Sequence, residues 1–147
     1  GGGWAGTERW ATGCCVVAGV KKGARRVACA GHDYPLVAGR KDGELIPCTE
    51  PKGPALGFFS EARYKSSIFK LSDIAEALLF TDGVYESSNH SGEEWGRESF
   101  EKSFVAAHRR PEVSSVESIC EDASDWVGGK GFDDDVCLLS IRIDGAR

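Results

Sequence analysis

Two acidic strings are where this sequence could do chemistry. Leu78-Leu79-Phe80-Thr81-Asp82-Gly83-Val84-Tyr85-Glu86 is an apolar run that ends abruptly in a carboxylate and a glycine. An aspartate at the end of a buried strand is held rigidly yet reaches open space, which suits a hard divalent cation needing oxygen ligands. Gly131-Phe132-Asp133-Asp134-Asp135-Val136-Cys137-Leu138-Leu139 sets three consecutive acids at the mouth of another apolar stretch. Adjacent carboxylates repel one another, and a bound cation removes that cost. Each string also has a plainer reading. Asp-Gly is common turn chemistry, and an acidic triplet can be a solvated turn ahead of a strand.

The elements that must position these strings can be read from periodicity. Cys14 to Val20 and Arg26 to Ala30, around a Lys21-Lys22-Gly23 turn, predict an antiparallel hairpin. Tyr34 to Ala38, an Asp42-Gly43 turn and a returning strand Glu44 to Cys48 continue the meander. Pro47, Pro51 and Pro54 mark a loop, after which Tyr64 to Leu71 and Glu76 to Phe80 read as strands. Beyond an Asp82-Gly83 turn the period becomes 3.6. Phe100, Phe104, Ala107 and His108 line one helix face, and Val113, Val116, Ile119, Cys120, Ala123 and Val127 line another. Pro111 suits a first helical turn and Gly128-Gly129 a helix end. Val136 to Ile143 closes as a strand with Cys137, Leu139, Ile141 and Ile143 on one face. Strands, then helices, then a strand predict an α+β fold with an antiparallel sheet or sandwich and flanking helices.

Composition narrows the function classes. With 147 residues, 41% of them apolar, the chain is expected to form one compact domain over residues 11–147, behind a flexible Gly-rich lead-in over residues 1–10. The net charge of -5 comes without any basic run longer than a pair, which argues against nucleic acid. No apolar run approaches the roughly 18 residues of a membrane span, and a cytoplasmic protein is the expectation. The six cysteines include no Cys-x-x-Cys pair and read as small buried hydrophobes. His32, His90 and His108 are too scattered for structural zinc. The sequence contains no methionine, so a removed initiator or an excised piece of a longer chain is expected.

Taken together, the strings and their surroundings resemble the metal-dependent serine/threonine protein phosphatase family, in its stage II sporulation protein E-like bacterial branch. Ala30-Gly31-His32 with Pro35 resembles that branch's Ala-Gly-His-x-x-Pro block, and Gly53 to Gly57 its Leu-Gly loop. Leu78 to Glu86 resembles the strand with Thr-Asp-Gly-x-x-Glu, followed by an aromatic-Gly pair at Trp95-Gly96. Asp134-Asp135-Val136-Cys137-Leu138-Leu139 resembles the closing Asp-Asp-Ile-Thr-Leu-Leu block. The resemblance implies that Asp82 and Asp134 are metal ligands, with Gly83 and Asp135 supporting them and Asp133 the lesser candidate. His32 and Glu86 would take structural or rim positions. Cys137 stands where the family has threonine, which puts hydroxyl support of Asp134 in doubt.

The family's early strand aspartate and its Gly-Asp-Val-x-Gly-His-Gly-like block have no match here, so the resemblance is to the C-terminal half of the domain. In the family that block's aspartate bridges two Mn²⁺ or Mg²⁺ ions about 4 Å apart, and a metal-activated water, not a side chain, attacks phosphorus. None of Asp33, Asp42, Asp73, Asp122 and Asp125 is an obvious substitute, so weak single-ion binding at most is expected. The implied function is hydrolysis of a phosphoserine or phosphothreonine on a regulatory phosphoprotein, of the anti-sigma antagonist type, incomplete in this chain alone. The alternative is a non-catalytic module that binds a partner or self-associates, with a homodimer covering exposed sheet surface.

Overall fold

The structure is a computed structural model and describes residues 10–19 and 24–143. The chain divides into two compact units, Gly1–Tyr34 with Cys48–Ile68 and Pro35–Pro47 with Phe69–Arg147. Antiparallel sheet and helices together make it an α+β protein, as the order of elements predicts. No helix among the described residues is long and apolar enough to cross a membrane.

In the first unit β1 (Gly13–Gly19) and β2 (Ala24–Ala30) pair antiparallel, with Cys14 opposite Cys29 and Val16 opposite Val27. The predicted Lys21-Lys22-Gly23 turn lies outside the described residues. The sheet order is β1-β2-β4, where β4 is Ser67–Lys70, of which Ser67 and Ile68 fall in this unit. That strand is shorter than the stretch from Tyr64 to Leu71 read from alternation. The Tyr64 ring is committed elsewhere, since a Cβ on Gly53 would come within 2.3 Å of it. Gly53 in turn donates to the Cys29 carbonyl at 3.0 Å and accepts from Gly31 at 2.8 Å.

The second unit holds β3 (Leu36–Gly39), β5 (Ile74–Phe80) and β6 (Leu138–Arg142), in sheet order β3-β5-β6 with both pairings antiparallel. The Asp42-Gly43 turn forms as predicted, with the Asp42 carboxylate accepting from the Glu44 N–H at 3.0 Å. The returning strand does not. It shrinks to a bridge between Ala38 and Leu45, with the Gly39 N–H donating to the Glu44 carbonyl and the Ile46 N–H to the Val37 carbonyl, because Pro47 has no N–H with which to extend a ladder.

Among the described residues three α-helices complete this unit: α1 (Gly83–Glu86), α2 (Arg97–His108) and α3 (Ser115–Val127). Phe100, Phe104 and Ala107 are buried on α2, and Ile119, Ala123 and Val127 on α3, at the helical spacing that the sequence shows. Of these, Phe100, Phe104, Ile119 and Ala123 pack with Leu36, Ala38, Leu78 and Phe80 into one cluster. Each fully buried phenylalanine there contributes roughly 1.5–3 kcal/mol. Gly128 closes α3 in the left-handed conformation at φ +64°, as expected of a C-terminal glycine. Pro111 and Val113 fall in the α2–α3 connection instead of the first turn, because Ser114 is the N-cap and accepts from the Glu117 N–H.

Two side chains in the sheet depart from the sequence pattern. Leu139 and Ile141 on β6 are 55% and 40% exposed, and it is Leu138 and Ser140, on the alternate face, that meet the interior. The reason is Glu76 on β5, fully buried, whose carboxylate accepts from the Ser140 hydroxyl at 2.5 Å. A buried acid thus fixes which face of β6 turns inward.

Candidate metal centre

β5 is buried except at the half-buried Ala75 and Leu79, and delivers Asp82 to the surface two residues past its end. There the chain does not make the predicted Asp-Gly turn. Asp82 is the N-cap of α1, its carbonyl accepting from the Tyr85 and Glu86 N–H groups at 3.0 and 3.1 Å. Its carboxylate makes no capping bond and is exposed. A carboxylate at a helix start sits at the positive end of the local peptide dipoles.

The acidic triplet is brought to the same place. A Cβ on Gly83 would lie 2.7 Å from the Asp135 carbonyl oxygen and 3.3 Å from the Asp134 Cβ, so only glycine lets the two backbones approach this closely. Thr81 fastens the contact: its hydroxyl donates to the Asp135 carbonyl at 2.9 Å and accepts from the Cys137 N–H at 2.9 Å, and its own N–H donates to the Cys137 carbonyl at 3.0 Å. Asp134 accepts from the Asp135 N–H at 2.7 Å and is otherwise open to solvent. The Thr81 hydroxyl thus holds the backbone on either side of Val136 and does not touch the Asp134 carboxylate.

Asp133 has a different job. Its carboxylate accepts from Lys130 Nζ at 2.7 Å and from the Ser88 N–H at 2.8 Å, and its own N–H donates to the Ser87 hydroxyl. The hydrogen bond from Lys130, with that from the Ser88 backbone, holds its pKa below the usual aspartate range. The Ser87 hydroxyl also donates to the Gly83 carbonyl at 2.6 Å, so Asp133 and Ser87 brace the acidic turn against α1. Sequence reading missed Thr81, Ser87 and Ser88 as supports. The signal was a threonine and two serines flanking the Asp-Gly, but nothing in their spacing names partners about 50 residues away.

Glu86 ends α1 and is exposed. His32 belongs to the first unit, where its Nδ1 lies 2.8 Å from the Asp33 carbonyl. A carbonyl only accepts, so Nδ1 carries the proton there. The Asp33 carboxylate is ion-paired with Lys52. The structure therefore brings together Asp82, Gly83, Asp134 and Asp135. The oxygens of Asp82 and Asp134 suit a hard cation, but two carboxylates fill only part of a six-ligand shell. Among the described residues no group of three or more His, Cys, Asp or Glu side chains is placed to hold a metal.

Comparison with known proteins places these observations. Residues 4–144 match the family model described as Stage II sporulation protein E (SpoIIE). No curated protein matches the sequence. Among solved structures, the RsbU and RsbW domains of Rv1364c from Mycobacterium tuberculosis align with a TM-score of 0.63 at 23% identity, covering 89% of this chain and 35% of that one. The SiaA-PP2C domain of Pseudomonas aeruginosa gives 0.61 at 24% identity, covering 81% and 47%. The phosphatase domain of the cell fate determinant SpoIIE from Bacillus subtilis, presoaked with Mn, gives 0.58 at 14% identity, covering 92% and 58%. This chain thus spans between about a third and three-fifths of these three solved chains, and the likeness is one of fold.

Proposed function

The chain belongs to the stage II sporulation protein E family, and from that premise we propose that it contributes Asp82 and Asp134 to the metal centre of a phosphoserine/phosphothreonine protein phosphatase. One observation supports this reading: the close approach of Gly83 to the Asp134–Asp135 backbone, which packs the segment carrying the exposed Asp82 against the one carrying the exposed Asp134. Mn²⁺ or Mg²⁺ bound there would supply Lewis acidity and an activated water. Asp82 and Asp134 would each offer oxygen ligands. Gly83 keeps the floor of the site free of a side chain, and Thr81 with Asp133 fixes the acidic turn. Two carboxylates hold an ion weakly, so turnover by this chain requires further ligands from the family's missing aspartate-bearing segment. The substrate is proposed to be a regulatory phosphoprotein in a bacterial-type signalling pathway of the cytoplasm.

Mn²⁺ titration followed by electron paramagnetic resonance tests the assignment without depending on activity. The wild-type chain is expected to bind weakly, and Asp82→Asn or Asp134→Asn to weaken binding by about tenfold or more, since even indirect supports of a metal site are worth that much. Equal Mn²⁺ binding by all three chains would sink the proposal. Hydrolysis of a small aryl phosphate by the wild-type chain alone would show that no further ligands are needed.

A second reading rests on the exposed Leu139 and Ile141 of β6. Under it the chain is a non-catalytic module whose open strand face binds a partner protein or a second copy of itself. Sedimentation of the wild-type chain, compared with Leu139→Ser, tests for self-association.

A further inference from the structure

The described sulfur atoms closest to one another lie in the first unit, away from any role given to that unit so far. Cys14 on β1 and Cys29 on β2 are directly opposed in the antiparallel register, and their sulfurs are 3.0 Å apart, the Cys29 thiol donating to Cys14 Sγ. Directly opposed residues have Cα atoms about 4.5–5.5 Å apart and side chains on the same face. A disulfide requires about 4.4–6.8 Å, so no backbone rearrangement is needed to close one. Cys14 is half-buried and Cys29 almost wholly buried, and both line an apolar cavity of about 360 Å³ with Leu56 and Tyr64.

We propose that Cys14 and Cys29 form a reversible dithiol–disulfide couple, oxidised by a small-molecule disulfide such as oxidised glutathione. The Cys14 thiolate attacks one sulfur of the small disulfide, forming a mixed disulfide and expelling one thiolate. The Cys29 sulfur then gives up its proton and attacks Cys14 Sγ, closing the Cys14–Cys29 bond and expelling the second small thiol. Two protein thiols are oxidised and one small disulfide is reduced to two thiols.

The division of labour follows from the surroundings. The hydrogen bond from Cys29 lowers the Cys14 pKa, which favours its thiolate. The same bond, with burial, raises that of Cys29, which stays protonated until Cys14 has been modified. Cys48 is pushed up to about 11, chiefly by burial, and is a poor competitor. Cys15, the next residue on β1, is exposed and points to the opposite side of the strand. The bond would tie β1 to β2 at their open ends, where Gly13 and Ala30 pair.

The full chain, equilibrated in glutathione buffers of graded ratio and quenched by alkylation, tests this by peptide mass mapping. Trypsin releases Cys14 and Cys15 together in residues 10–21, and Cys29 alone in residues 27–40. The expected result is a cross-link between these two peptides. It should appear over an approximately hundredfold change in the ratio of oxidised glutathione to the square of the reduced form, as a two-electron couple requires. It should reverse with dithiothreitol, persist in Cys15→Ser and Cys48→Ser, and vanish in Cys14→Ser. Free thiols across the whole range, or a cross-link that survives Cys14→Ser and disappears in Cys15→Ser, would overturn it. The wild-type titration does not depend on any variant folding.

Discussion

Glu76→Gln will lower the unfolding free energy by about 3 kcal/mol at neutral pH, the low end of what breaking a buried ion pair costs. Glu76 has no exposed surface, and its carboxylate is ringed by donors from β6, α2 and α3. Ser140 donates at 2.5 Å, His108 Nδ1 at 2.7 Å and Arg142 Nε at 3.3 Å. Arg142 goes on to donate to the carbonyls of Pro111 and Val113, each at 2.9 Å, and to the Ser115 hydroxyl at 3.0 Å. One carboxylate therefore fastens β5 to β6, to the last turn of α2 and to the start of α3. A glutamine side chain fits the space but turns an NH₂ group toward donors. The low end is the right choice because Arg142 is 37% exposed and solvent screens its share.

The same residue predicts an acid dependence. Burial pushes the Glu76 pKa up, but the hydrogen bonds from Ser140, His108 and Ser115 and the charge of Arg142 outweigh it, leaving the group below the usual glutamate range. A depressed folded pKa gives stability that is present above the unfolded value, near pH 4.3, and is lost as pH falls through the folded one. Urea midpoints of wild type and Glu76→Gln, followed by helical circular dichroism, should differ most at neutral pH and converge below about pH 4. A difference that stays constant into acid would refute the network as described.

Gly83→Ala sets two effects against each other. Alanine is better than glycine inside a helix by about 1 kcal/mol, and Gly83 opens α1. Against this, the new Cβ would sit 2.7 Å from the Asp135 carbonyl, which Thr81 already holds at 2.9 Å. That carbonyl cannot retreat without giving up its hydrogen bond, so the clash wins. The expected outcome is a net destabilisation of about 1–3 kcal/mol, typical of overpacking. Mn²⁺ binding should fall by as much as in Asp82→Asn, measured by the same titration. A variant more stable than wild type would mean that the acidic turn is not pressed against α1.

How much of this was legible in the sequence depends on the range of the interactions involved. The α2 and α3 faces were legible because a 3.6-residue period needs only neighbours on the same helix, and Gly128 because only a glycine ends a helix so easily. The opposition of Cys14 and Cys29 was not read from the sequence, which suggested only small hydrophobes, because the register that pairs them is set by the hairpin as folded. Asp82, Gly83, Asp134 and Asp135 could be named from the family resemblance, and the structure packs Gly83 against the Asp134–Asp135 backbone. Glu76 could not be picked out. An acid within an apolar strand is silent until its partners, 32 to 66 residues further along, are known. The strand from Glu44 failed for a local reason that Pro47 did announce. α1 in place of a turn was hidden because Asp-Gly chemistry permits both.

The Thr81 clamp also bears on the order in which the molecule assembles. Its partners are 54 and 56 residues away, with all of α2 and α3 between. Local helical turns form well before a loop of that length closes. The two aspartates therefore meet only when β6 docks on β5, late on the route to the native state. If Asp82 and Asp134 hold an ion as proposed, its binding would leave the folding rate nearly unchanged and act instead as a latch, slowing the release of β6.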